Sequence, residues 1–118
     1  MKRLVLVAGL IAAGSIETAF AGGVVSNVLI QSTGTGPTYD TICGFPCMVV
    51  EFQSAPTGSP CSLNSGWHYA INISTAEGRL TAAQVTTAKA TGNVVESGGN
   101  GTCIYNGRIE QFAYLILK

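Results

Sequence analysis

Four cysteines, Cys43, Cys47, Cys61 and Cys103, constrain this chain more than any other feature, because all of them follow a segment built for export. Lys2 and Arg3 lead into the apolar run Leu4–Ala13, and Ala19-Phe20-Ala21 gives the small-x-small pattern at which a secretory signal is cut. Gly9 and Gly14 interrupt that run, and Glu17 stands where a spanning helix would have to continue, so residues 1–21 read as a signal peptide and not as a membrane anchor. The expected localisation is secreted or periplasmic. An even number of cysteines in a small exported domain reads as two disulfides. Three pairings are open. Gly44-Phe45-Pro46 can turn the chain between Cys43 and Cys47, and Cys61 and Cys103 flank the most regular part of the sequence, which favours Cys43–Cys47 with Cys61–Cys103. The spacings do not supply the paired C-x2-C knuckles of a zinc site, so no metal and no cofactor is expected.

Residues 22–118 are expected to form a single disulfide-stabilised domain, since no repeat, low-complexity tract or charge block divides them. Its charged residues are Arg79, Lys89, Arg108 and Lys118 against Asp40, Glu51, Glu77, Glu96 and Glu110, one net negative charge. Such a balance offers no single-sign field for nucleic acid or an anionic lipid surface. The domain also lacks an apolar run long enough for a helical span, so no membrane span is expected in it.

Hydrophobic periodicity sets out the elements. Residues 24–31 are rich in β-branched side chains and read as a first strand, followed by a hydroxyl-rich loop over 31–40. In 47–53, Met48, Val50 and Phe52 share one face and Val49, Glu51 and Gln53 the other, a second strand. Trp67, Tyr69, Ile71 and Ile73 alternate with His68, Ala70, Asn72 and Ser74, which places the first four inward and His68 outward on a third strand. Ser74-Thr75-Ala76-Glu77 has capping-box spacing, so a helix is expected over 75–91, with Leu80, Ala83, Thr87 and Ala90 on its apolar stripe and Gly92 ending it. A fourth strand from Asn93 meets a turn at Gly98-Gly99-Asn100-Gly101 and resumes at Thr102. Asn106-Gly107 then makes a two-residue hairpin into a last strand, 108–117, buried on both faces near its end.

The order strand, strand, strand, helix, strand, strand is that of a small five-stranded OB-like Greek-key barrel, mostly β with one helix. An open α+β sheet with the helix on one face gives the same string. The barrel is favoured because closure removes unpaired edges, which this chain has few charges to protect.

No catalytic constellation is evident, and the chain is expected not to be an enzyme. A Ser-His-Asp arrangement would need the single His68 and the single Asp40 together, and no nucleophile elbow accompanies them. Glu51, Glu96 and Glu110 could form an acid/base pair only if their strands were neighbours; each is more simply the outward polar member of an alternating strand. What remains is surface chemistry. Ser32, Thr33, Thr35 and Tyr39 in the hydroxyl-rich loop combine hydrogen-bonding groups with one aromatic ring, the combination that holds sugars. Expected partners are a glycan or a protein, further copies of this chain included; a periplasmic inhibitor or immunity-type role and, last, a carboxylate-based hydrolase are the alternatives.

The segments Gly66-Trp67-His68-Tyr69-Ala70-Ile71-Asn72, Ser74-Thr75-Ala76-Glu77-Gly78-Arg79, Ala90-Thr91-Gly92-Asn93-Val94-Val95, Gly101-Thr102-Cys103 and Ile109-Glu110-Gln111-Phe112-Ala113-Tyr114-Leu115 resemble a group of small exported bacterial proteins without assigned function. More loosely, the layout resembles the glycan-binding B subunits of pertussis-type and subtilase-type toxins, small disulfide-bonded OB-folds that assemble as rings of five. That resemblance rests on element order and export, and implies glycan binding and self-association without assigning any residue. The Cys43-x3-Cys47 pair departs from it.

Overall fold

The computed structural model describes residues 22–118; the expected signal segment, 1–21, lies outside the described residues. Its elements are β1 (Val24–Val28), β2 (Ile30–Thr35), α1 (Pro37–Cys43), β3 (Cys47–Phe52), β4 (Tyr69–Asn72), α2 (Ala76–Thr91), β5 (Val95–Ile104) and β6 (Ile109–Leu117). The domain is mostly β, with two helices and six strands where one helix and five strands are expected. The additional strand arises because the first one is split. Asn27 adopts a left-handed φ of 54°, and the pairing register shifts between Val25 and Val28 and again between Ile30 and Ser32. The additional helix, α1, takes up part of the expected hydroxyl-rich loop.

The sheet order is β1-β5-β6-β4-β3-β2, antiparallel except for the β4–β6 pair. β1 and β2 stand at opposite ends of that order although only Leu29 separates them in the chain, so the sheet must curl until both ends reach one corner. Among the described residues no ladder joins β1 to β2. The sheet is therefore open and mixed, and the closed five-stranded barrel is not formed. Its physical cause is the bulge, which hands the pairing of the first strand from β5 to β3 instead of keeping both along its length.

Gly98-Gly99-Asn100-Gly101 is not a turn. It lies within the continuous strand β5, whose register shifts between Gly98 and Gly99 and between Gly99 and Cys103. The chain reverses between the paired residues Ile104 and Ile109, with Tyr105, Asn106 and Gly107 all at positive φ, a longer connection than the expected two-residue hairpin. The end of β6 is exposed at Ile116 and Leu117, not buried on both faces, because β4 pairs with β6 only at Glu110 and Gln111 and, among the described residues, no strand lies beside the rest of that edge.

In α2 the cap is Thr75, whose hydroxyl accepts from the Gly78 amide at 2.9 Å; the Ser74 hydroxyl donates instead to Asn72 Oδ1 at 2.6 Å, so the expected Ser74 cap is not made. The helix buries Gly78, Val85 and Ala88, whereas Leu80 is 66% exposed. Its phase is set by Gly78, which packs so tightly on β4 that a Cβ there would lie 1.6 Å from the Asn72 carbonyl oxygen. Residues three, four and seven further on inherit that face, and Leu80, two residues on, is turned away.

The inner core joins Val25, Ile30, Met48, Val50, Phe52, Tyr69, Ile71 and Val95 from the sheet to Val85 and Ala88 of α2. An outer cluster of Cys43, Cys47, Val49, Ala70 and Ile109 lies on the other face, flanked by half-buried Tyr39, Phe45, Trp67 and Tyr105. Both disulfides have the expected pairing, with Cα–Cα separations of 6.4 Å for Cys43–Cys47 and 5.6 Å for Cys61–Cys103.

Two outcomes follow for stability. With sequence separations of 42 and 4, loss of Cys61–Cys103 costs about 4 kcal/mol and loss of Cys43–Cys47 about 2 kcal/mol on the loop-entropy account, an order that urea denaturation of the two Cys→Ser pairs reads directly. Val85→Ala costs about 2 kcal/mol through the cavity it leaves, while Leu80→Ala stays within about 0.5 kcal/mol; equal losses would contradict the observed helix phase.

Candidate functional site

The pleat divides the four candidate binding residues. Directly opposed residues of an antiparallel pair share a face. Thr33 pairs with Val50 and Thr35 with Met48, both inner-core residues, whereas Ser32 pairs with Glu51 and Gly34 with Val49 on the outer face. Tyr39, on α1, joins the outer group: a Cβ on Gly34 would lie 2.8 Å from its ring. The structure thus brings Ser32 and Tyr39 to one face and leaves Thr33 and Thr35 on the other.

Two further residues complete the outer face. Trp67, expected inward with Tyr69, precedes β4 and turns outward, where its ring meets that of Tyr39 edge-on at 5.5 Å. Arg108 lies over the Tyr105 ring, 5.2 Å from its centroid, a cation–π contact. Rings, a hydroxyl and the half-buried Glu51 carboxylate are therefore presented together. α1 is held in place by the Cys43–Cys47 bridge and by Asp40, whose carboxylate accepts from the Cys47 amide at 3.1 Å. Trp67 could be found from sequence only as a strand residue, since nothing in the alternation signals its reversal.

His68 is buried, not outward. Its Nδ1 accepts from the Phe52 amide at 3.0 Å, and its ring stacks on that of Phe52 at 6.0 Å. With Asp40 engaged at Cys47 and His68 at Phe52, no triad is assembled. Burial lowers the imidazole from its ordinary value of 6.5, against a smaller opposing effect of the Glu51 carboxylate.

The three glutamates do not meet. Glu51 is on the outer face, and Glu96 pairs with Lys118 at 3.4 Å. Glu96 is in register with Ile116, about 20 Å along β6 from Glu110 at the usual strand rise. Glu110, expected outward, is fully buried: it accepts from the Gly23 amide at 3.1 and 3.2 Å, the Ser59 hydroxyl at 2.7 Å and the Gly101 amide at 2.7 Å. β5 admits it because Gly99 has no side chain; a Cβ there would lie 2.3 Å from the carboxyl carbon. Beside it, burial and then the Glu110 carboxylate push the Tyr69 phenol well above its usual value, and its hydroxyl donates to the Gly23 carbonyl at 2.5 Å.

Among the described residues no helix is long and apolar enough to cross a membrane. Comparison with known proteins found no matching family model, no similar curated protein and no similar solved structure.

The His68 arrangement fixes a pH dependence. Its folded value lies below the unfolded one, so the unfolded chain takes up a proton first; the contribution is complete above 6.5 and is lost as pH falls from there through the folded value. Urea midpoints should drop between pH 7.5 and pH 5. In His68→Asn, whose amide oxygen can replace Nδ1 as acceptor, that part of the drop disappears; an unchanged drop would locate its origin elsewhere.

Proposed function

We propose that this chain is an exported, non-enzymatic binding module that takes a glycan on the outer face of its sheet. The Tyr39–Trp67 pair carries this proposal: two half-buried rings at about a right angle, beside the in-register polar pair Ser32 and Glu51. A sugar presents an apolar ring face to stack on an aromatic side chain and hydroxyls to bond to a carboxylate or hydroxyl. The disulfides agree with an oxidising compartment, and the signal-peptide pattern over 1–21 supports export. The strand order, with a parallel β4–β6 pair and a first strand shared between both ends of the sheet, supports an OB-like Greek-key layout left open at one seam. The loose resemblance to toxin B subunits points the same way.

A second role, binding a protein in the manner of an inhibitor or immunity protein or pairing with further copies of the chain, is favoured by the exposed apolar side chains Val24, Tyr114, Ile116 and Leu117. Hydrolysis by a carboxylate pair has the least support, given the separation of Glu51, Glu96 and Glu110.

A glycan array followed by calorimetry on the mature protein tests the proposal. Tyr39→Ala and Trp67→Ala should each weaken the selected glycan at least about tenfold, or about 1.4 kcal/mol, while Ile116→Ser leaves it unchanged. Near-UV circular dichroism confirms that each variant is folded. A folded protein that retains no glycan, or whose binding follows Ile116 and not Tyr39 and Trp67, would overturn it in favour of a protein partner.

A further inference from the structure

Glu110 is fully buried, yet its donors are all neutral. Among the described residues the one side-chain ion pair joins Lys118 to Glu96. A buried carboxylate is normally answered by a positive charge as well as by hydrogen bonds. One of its donors, the Gly23 amide, belongs to the second residue after the expected signal cut, and Gly22 itself lies against the carboxylate. A Cβ on Gly22 would stand 2.7 Å from Oε2 and 1.9 Å from the Gly99 carbonyl oxygen; one on Gly23 would stand 2.8 Å from Ser59 Cβ. Standard backbone dimensions then place the Gly22 nitrogen within about 5 Å of Oε2. The two glycines fill a slot that no larger residue could enter without displacing backbone.

We propose that the Ala21–Gly22 bond is a maturation site whose cleavage supplies the missing charge, the α-ammonium of Gly22 becoming the counter-ion of buried Glu110. This rests on the signal-peptide reading above. A signal-peptidase-type enzyme adds water across the Ala21–Gly22 peptide bond: the C–N bond breaks, the acyl carbon keeps the oxygen as the Ala21 carboxylate, and the Gly22 nitrogen carries the protons as an ammonium at neutral pH. Before cleavage the same nitrogen is a neutral amide attached to residue 21, and no residue among those described supplies Glu110 with a cation. Removal of the signal therefore also completes the electrostatics of the fold, so that the mature chain gains stability at the moment it is released. Tyr69, bonded to the Gly23 carbonyl, and Tyr114, farther along β6, are the other titratable side chains acting on this pocket.

The test uses the full chain, exported and processed in a bacterial host, with the intact mass fixing the mature N-terminus. Competitive acetylation across pH, read on the N-terminal peptide, then titrates the α-amine. Mass should place the cut after Ala21, and the Gly22 amine should titrate at least one unit above the ordinary 7.7–8.0 of an α-amine, with at least about fourfold slower labelling at pH 8 than in Glu110→Gln. An alanine inserted between Ala21 and Gly22, so that cleavage leaves one extra residue, should restore ordinary labelling and lower the urea midpoint; it carries the comparison if Glu110→Gln does not fold. A mature N-terminus elsewhere would overturn the processing site. A terminus at Gly22 with an ordinary amine would overturn the ion pair while leaving the signal-peptide reading intact.

Discussion

The Glu110 carboxylate holds together four stretches of chain: β6, the residue before β1, the β3–β4 connection at Ser59, and the bulged middle of β5 at Gly101. Hydrogen bonds to a charged acceptor are worth about 1.5–3 kcal/mol each, and loss of any one leaves a buried charge short of a partner. The donors must therefore be fixed. Cys61 and Cys103 lie two residues beyond Ser59 and Gly101 respectively, and their disulfide ties those two donor segments to each other. The Ser59 hydroxyl also accepts from the Cys61 amide at 3.1 Å. The long bridge and the buried carboxylate are in this sense one device, since each restrains the segments that the other needs.

The curl of the sheet follows from the same corner. Gly23 donates to Glu110 while its carbonyl accepts from the Gly99 amide at 2.9 Å and from Tyr69, and Val24 and Thr57 exchange backbone hydrogen bonds at 3.0 Å. The start of β1 is thus anchored against both β5 and the connection after β3. The chain can then continue into β2 and pair with β3 only by crossing the corner at Asn27–Leu29, where the register breaks. A sheet bound at one end in this way has its inner face already half enclosed, and α2 lies against what remains of it through Gly78, Val85 and Ala88.

Much of this was legible in the sequence, and the exceptions have a common cause. Period-two alternation located β3, β4 and β6, the Gly92 stop ended α2 at the expected residue, and the cysteine spacing gave the pairing. Alternation also says that neighbours point to opposite faces, and it leaves a charged residue outward by default. At Glu110 that default fails because its donors come from 87, 51 and 9 residues away. Nothing local encodes them. The run Gly98-Gly99-Asn100-Gly101 reads as a turn for the same reason: the space left by Gly99 has a use only once Glu110 is known to occupy it. Trp67 and His68 reverse the expected facing because β4 begins only at Tyr69, and the hydroxyls of Ser32, Thr33 and Thr35, adjacent in sequence, are separated by the pleat.

The two faces of the sheet therefore meet different physical demands. The inner face holds the charge, the large aromatic residues Phe52 and Tyr69 and the helix contact, all fully or almost fully buried. The outer face carries rings that are only half covered, and one of them, Tyr39, stands on a seven-residue helix too short to be stable by itself. α1 keeps its position because Cys43 is bonded to the first residue of β3, Asp40 accepts from the amide of that same residue, and Tyr39 packs over Gly34. In the binding mode proposed above, a Tyr39 ring held so firmly would have little rotational freedom left to lose on being covered, which is the condition under which a half-exposed aromatic side chain contributes most.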